Sequence, residues 1–153
     1  MRCLIAIAAG FLLVMPCTTT AQEKEPEKYE FKLRAVELKK DDGPLAVKLK
    51  ERYNTSIEHM LSLIPRIESG TVTIAANGEA IDMIVGAGLE LFTEPKERIA
   101  VLEESLRFSQ ELERFAKSQF DAGQTRLSEM LKSRYIRQTA EIRLLREKER
   151  GKR

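Results

Sequence analysis

The chain has 153 residues, 42% of them hydrophobic and 33% charged, with a formal net charge of +2. That length holds one core rather than two, and so small a net charge gives no bulk electrostatic case for a nucleic acid or an anionic membrane. With 6 Phe, 3 Tyr and no Trp among so many charges, the composition suits helices that bury a narrow Leu/Ile/Ala seam, not a thick β-sandwich.

Residues 1–21 have the layout of a secretory signal. Arg2 precedes an uncharged run, LIAIAAGFLLVM, which Pro16 breaks, and small residues end at Ala21, the expected cleavage point. The run is about 12 residues, short of the roughly 20 that span a bilayer. The expectation is export to the periplasm or envelope, with no transmembrane segment after cleavage. Both cysteines, Cys3 and Cys17, fall in this segment. The mature chain is then cysteine-free, which removes disulfides, thiolate nucleophiles and Cys-based metal sites together. Lipid modification at Cys17 is the alternative fate. Pro16 stands where a small residue is wanted, which favours ordinary secretion.

Residues 22–43 are dense in charge and read as a flexible lead that docks loosely. The alternation of Tyr29, Phe31 and Leu33 is the competing signal for a short strand. Asp42-Gly43-Pro44 then starts a helix. Leu49, Tyr53, Ile57, Met60/Leu61, Ile64 and Ile67 recur at spacings of three and four, so one apolar stripe runs to about Ser69. Pro65 is expected to kink or shorten its last turn, and Gly70 to end it.

Two signals conflict over residues 71–92. Locally, TVTIAA-NG-EAIDMIV is a β-hairpin pattern turning at Asn77-Gly78. Gly78, Gly86 and Gly88 also weaken any helix there, by about 1 kcal/mol each. An internal repeat favours helix instead.

Thr93-Glu94-Pro95 restarts a helix, with Glu94, Glu97, Glu103 and Glu104 near its positive end. Its predicted buried stripe is Ile99, Leu102, Leu106, Leu112, Phe115/Ala116 and Phe120. At about 28 residues it would measure about 42 Å, stopping at Ala122-Gly123. A last helix follows from about Arg126, with Leu127, Leu131, Tyr135, Ile142 and Leu145 on one face, and a solvated tail at residues 150–153. Ile67–Thr125 carries 5 basic and 11 acidic residues, whereas Arg126–Arg153 carries 10 basic and 4 acidic. The third and fourth helices are therefore expected to lie antiparallel with attracting flanks. Nucleic-acid binding is not expected, because the basic tail has no interleaved aromatics.

Shifting the chain by 53 residues aligns Arg66–Ile74 with Gln119–Leu127 and Ala87–Phe92 with Ala140–Leu145. Gly70 meets Gly123, and apolar pairs form at Ile67/Phe120, Ile74/Leu127, Leu89/Ile142 and Leu91/Leu144. Two copies of helix, glycine turn and helix account for this. The repeats span 44–92 and 94–149, and residues 71–92 become helical by analogy with 124–145. The expected fold is all-α: two consecutive antiparallel helical hairpins in an elongated four-helix or coiled-coil bundle.

The second copy, FDAGQTRLSEMLKSRYIRQTAEIRLL, resembles the repeated motif of outer-membrane efflux proteins of the TolC type. The residues that match are Phe120, Gly123, Leu127, Glu129 and Leu131, followed by Ala140, Ile142 and Leu144. In that family the motif forms the tip of a long helical hairpin at the periplasmic end of an exit duct, where adaptor proteins dock. The resemblance implies the hairpins without the pore, since no stretch here offers barrel strands. It also implies partner binding at the tips, through Gly70, Thr71 and Thr73 in copy one and Phe120, Gly123, Gln124, Thr125, Arg126, Leu127 and Glu129 in copy two. This sequence departs from the family at Arg126, where a Thr or Ser often caps the next helix, and at Ala76, where copy one lacks the acid.

Catalytic constellations are not found. His59 is the only histidine and reads as a boundary packing residue. Glu103/Glu104 and Asp41/Asp42 are adjacent in sequence, so each pair reads as solvated faces or caps. With no phosphate loop, metal spacing or nucleophile–base set, neither enzyme activity nor a cofactor or metal is expected. The function predicted is an accessory or structural interaction protein of the envelope. The alternatives are a free periplasmic helical chaperone or stress-response protein and a purely structural remnant. Self-association is compatible with each of them.

Overall fold

The computed structural model describes residues 29–69 and 73–151, and among these every regular element is a helix. The order is α1 (Pro44–Glu68), α2 (Ile74–Leu91), α3 (Pro95–Asp121) and α4 (Leu127–Arg150). α1 and α2 form one antiparallel hairpin, which Arg52 of α1 ties to Glu90 at the far end of α2. α3 and α4 form the second, joined across its length by Arg134–Glu113 and Lys148–Glu103 ion pairs. α2 is central and packs on α1, α3 and α4. The all-α bundle of two hairpins expected from the repeat is the fold. None of these helices is long and apolar enough to cross a membrane.

The helices start where the sequence signals them. Pro44 and Pro95 occupy first-turn positions of α1 and α3, where a missing N–H costs nothing. Pro65 does not end α1, which runs to Glu68. Gly70 lies outside the described residues, as do the signal segment 1–21, the lead up to residue 28 and both cysteines.

The hairpin pattern in residues 71–92 is overruled: from Ile74 onward the segment is α2, and Asn77-Gly78 is inside it. Packing reverses the local preference. Ile74, Asn77, Ala80, Ile81, Ile84, Val85, Ala87 and Gly88 are buried, one broad face that packs into the core, while Ala75, Glu79, Asp82, Met83 and Glu90 lie exposed on the other. Two of its glycines are sites of close approach. A Cβ on Gly88 would stand 3.0 Å from both methyls of Val101, and one on Gly78 would stand 2.9 Å from Ile136 Cδ1.

The main core joins Tyr53, Ile57, Met60 and Leu63 of α1 to Ile81, Ile84 and Val85 of α2, Val101, Leu102 and Phe108 of α3 and Leu144 of α4. A smaller cluster of Ile74, Leu112 and Ala116 lies toward the loop end. Leu63, Val101 and Phe108 are core residues that the sequence stripes omit, and Leu61 is exposed.

Two further expectations are corrected. Residues 29–42 form no strand, but neither do they dock loosely. Phe31 is buried, and the Tyr29 ring meets Phe108 edge-on at 5.4 Å. Val36 N–H donates to Asn54 Oδ1 at 2.8 Å, while Asn54 Nδ2 donates to Val36 O at 2.9 Å. Residues 29–42 are a strap from α3 to α1. The second concerns α4, whose apolar stripe, read in the sequence as one face of the helix, is its exposed face. Leu127, Leu131, Tyr135, Ile142 and Leu145 are 51, 47, 68, 48 and 55% exposed, while Met130, Ser133, Ala140, Leu144 and Glu147 are buried. Small residues are among those buried on both α3 and α4, Ser105, Ser109 and Ala116 on one and Ser133 and Ala140 on the other. Small side chains let two helix axes come closer. Hydroxyls of Ser109 and Ser133 bond carbonyls of their own helices at 2.7 Å, so these hydroxyls are buried with their hydrogen bonds made.

Candidate functional site: the hairpin tips

The second tip is a complete Schellman turn. Gly123 N–H donates to Phe120 O at 2.9 Å and Gln124 N–H to Gln119 O at 2.8 Å, which satisfies carbonyls that a helix end otherwise leaves open. The turn requires a left-handed residue, and Gly123 has φ +70°. Arg126 is the N-cap of α4 with extended backbone and no side-chain cap. Its carbonyl accepts from Glu129 N and Met130 N at 3.0 and 3.3 Å. Phe120, Gln124, Arg126 and Leu127 are exposed and Thr125 and Glu129 half-buried. The tip thus presents two apolar side chains, an amide and a guanidinium on a rigid turn.

The first tip repeats this geometry wherever it is described. Ser69 and Ala122 are the C-caps, with φ, ψ of −83°, −1° and −81°, 0°. Ser69 N–H bonds Pro65 O at 3.1 Å as Ala122 N–H bonds Ser118 O at 3.0 Å. Thr73 and Arg126 are the N-caps, at −76°, 151° and −86°, 153°. Each pair is 53 residues apart, so the register found in the sequence holds at both sides of both turns. The tips differ in capping: Thr73 Oγ1 accepts from Ala76 N at 3.3 Å, and Arg126 has no counterpart to that bond. Gly70 and Thr71 lie outside the described residues.

Away from the tips, ionisable groups are engaged structurally. Glu104, expected on a solvated face, is buried beneath the strap. It accepts from Arg107 Nη2 at 2.7 Å, from Tyr29 Oη at 2.8 Å and from Lys32 N at 3.0 Å. Burial, then the hydrogen bond to Glu104, pushes the Tyr29 hydroxyl well above its ordinary range, and Arg107 lies 4.8 Å over its ring. Glu103, by contrast, is exposed and pairs with Lys148. Asp42 caps the turn before α1, accepting from Lys39 N at 2.7 Å and from Lys50 Nζ. His59 is exposed.

Opposite the tips, Arg98 joins three helices. Its Nε and Nη2 reach the Glu147 carboxylate of α4 at 2.6 and 3.1 Å, and Nη1 reaches Leu89 O of α2 at 2.9 Å. That fork holds the Glu147 carboxyl below its ordinary range. Burial would raise Glu113, but hydrogen bonds from Arg134 and Arg137 overcome it and lower this carboxyl too. Among the described residues no three His, Cys, Asp or Glu side chains are grouped to hold a metal ion. The sequence missed the Glu104 and Arg98 networks because both join residues more than 40 positions apart. Compared with known proteins, the chain matches no family profile, no curated sequence and no solved structure.

Proposed function

We propose that the chain is an exported, non-catalytic interaction module of the cell envelope that binds a protein partner through its hairpin tips, in the manner of efflux-type hairpins. The observation that carries this is the pair of tips built on one backbone plan, with Phe120, Gln124, Arg126 and Leu127 exposed on the second. A turn held by paired hydrogen bonds presents these groups with little ordering cost, which favours binding. The stretch Phe120–Arg126 carries no catalytic pair. Its Asp121 is matched by Lys117, which leaves the Arg126 guanidinium as the charge a partner would meet.

Photo-crosslinkers placed at Gln124 or Arg126 in growing cells are expected to capture an envelope protein, and one at Glu111, mid-helix on α3, is not. Equal capture at both positions sinks the proposal. The signal segment is tested in the same cells, since a tagged chain found with the cytoplasmic fraction contradicts export.

A second reading, a free periplasmic chaperone, draws on the exposed apolar face of α4, because client-binding chaperones present such surfaces. Suppression of aggregation of an unfolded protein, lost on Ile142→Lys, would favour it over the tip-binding role.

A further inference from the structure

The outward face of α4 is an apolar seam with coiled-coil spacing. Leu131, Tyr135, Gln138, Ile142 and Leu145 follow one another at steps of four, three, four and three, and all five are exposed. On a heptad these are alternating d and a positions, with Tyr135 and Ile142 at a and Leu131, Gln138 and Leu145 at d. The side chains that hold α4 to its own bundle, Met130, Ser133, Ala140, Leu144 and Glu147, lie on the opposite face. The seam is therefore free along its length while the helix is already anchored.

We propose that this seam pairs with the same seam of a second copy, the two α4 helices lying parallel about a two-fold axis. Three features select this occupant. The first is the seam itself: a β-branched residue at a with Leu at d, as in Ile142 and Leu145, favours two parallel strands.

Flanking charges agree. Lys132 and Arg146 are exposed at e positions of the heptad, and Glu141 is exposed at a g position. A parallel pairing sets Arg146 of each helix beside Glu141 of the other, twice per dimer. Among the described residues, Glu141 is otherwise held only by Arg137 on its own helix. An antiparallel pairing sets Glu141 beside Arg134, a cation that Glu113 already engages, but it also sets Lys132 against Arg146, like against like, at both ends.

The repeat supplies the third argument. Moved back by 53 residues, Leu127, Leu131 and Ile142 become Ile74, Gly78 and Leu89. Two of these lie on the face of α2 that meets the second hairpin: Ile74 clusters with Leu112 and Ala116, and Gly78 abuts Ile136. The face that copy one uses to dock is the face that copy two leaves uncovered. A head-to-tail continuation would bring Lys48 and His59, the equivalents of Val101 and Leu112, onto an apolar seam, and both are exposed polar residues. A closed two-fold contact avoids that mismatch and stops at two copies.

The test is sedimentation equilibrium on the chain as recovered from producing cells, with two sets of variants. The parent is expected to be a dimer at micromolar concentration. Ile142→Lys, at an exposed site, is expected to keep the parent helical circular dichroism while weakening association about 30-fold or more, as loss of a central contact does. Glu141→Lys is expected to weaken the dimer, and adding Arg146→Glu to restore it. Ile142→Cys is expected to cross-link to itself on mild oxidation, under conditions in which the parent does not. A parent that stays monomeric to about 100 μM overturns the proposal. So does cross-linking of Leu131→Cys with Leu145→Cys but not of Ile142→Cys, which would mean antiparallel pairing. Binding of a monomeric parent to phosphatidylglycerol vesicles, abolished by Ile142→Lys, would overturn it in favour of a lipid surface.

Discussion

Gly123 and Gly88 show two separate reasons for a glycine. At Gly123 the reason is the backbone: φ is +70°, and nothing lies within 4 Å of the point where a Cβ would stand. Gly123→Ala is expected to cost about 1–2 kcal/mol, the left-handed penalty of a residue with a Cβ, seen as a lower thermal midpoint. At Gly88 the reason is space, because both Val101 methyls would stand 3.0 Å away and a β-branched side chain cannot swing clear. Gly88→Ala is expected to lower the midpoint, despite the helix preference of about 1 kcal/mol for Ala. Gly78→Ala is expected to be neutral or stabilising. Its contact is the far end of Ile136, which can rotate away. These signs were hidden in the sequence, where Gly78 and Gly88 alike read as helix-weakening.

At the scale of the element, the two N-caps offer a matched comparison. Thr73 caps α2 with its hydroxyl, and Thr73→Ala is expected to cost about 1 kcal/mol. Arg126, its equivalent 53 residues on, makes no such bond. Arg126→Thr would create Thr-x-x-Glu with Glu129, a capping box. A gain of up to about 1 kcal/mol in denaturant titration is the expected outcome, together with weaker tip crosslinking if the guanidinium meets the partner. α2 and α4 also show where periodicity informs and where it misleads. In α2 the duplication correctly outweighed a strong hairpin signal, because burying one broad face against three neighbouring helices stabilises a helix that its own composition does not. In α4 the most apolar stripe is not the buried one. Periodicity reports which face is most apolar, whereas packing against α3 selected the face whose small residues allow close approach.

For the whole molecule, Arg98–Glu147 and the strap decide how the hairpins hold together. Glu147 and Glu113 have folded carboxyls held below their ordinary range. Such groups contribute stability above the unfolded carboxylate range, about pH 4.3, and that contribution is lost as pH falls through the folded values. The thermal midpoint is expected to fall as pH drops from about 4.5 to 3, and Glu147→Gln to flatten that fall while lowering the midpoint at neutral pH. A midpoint insensitive to pH over this window would contradict the assignment. The strap adds its own expectation. Phe31→Ala is expected to cost about 3 kcal/mol, as loss of a buried aromatic does, and the Val36 amide, bonded to Asn54, to exchange with deuterium as slowly as helix amides. A tail-like exchange rate there would restore the loose lead that composition suggested.

By itself the sequence determined the helices, the glycine turn at Gly123 and the 53-residue register between the hairpins. Outside α2, which was legible only through the repeat, these are set by local geometry: proline at a first turn, a left-handed glycine and apolar spacing of three and four. The candidate tip residues Phe120–Glu129 were legible for the same reason, being contiguous. Only the tertiary structure decided which face of α4 is buried, that Glu104 is covered, and that residues 29–42 cross from α3 to α1. Each of these depends on what lies opposite a residue across a helix interface, and no local pattern carries that information. The apolar seam of α4 belongs to both lists: its spacing was written in the chain, and its freedom to meet a partner was decided by the fold.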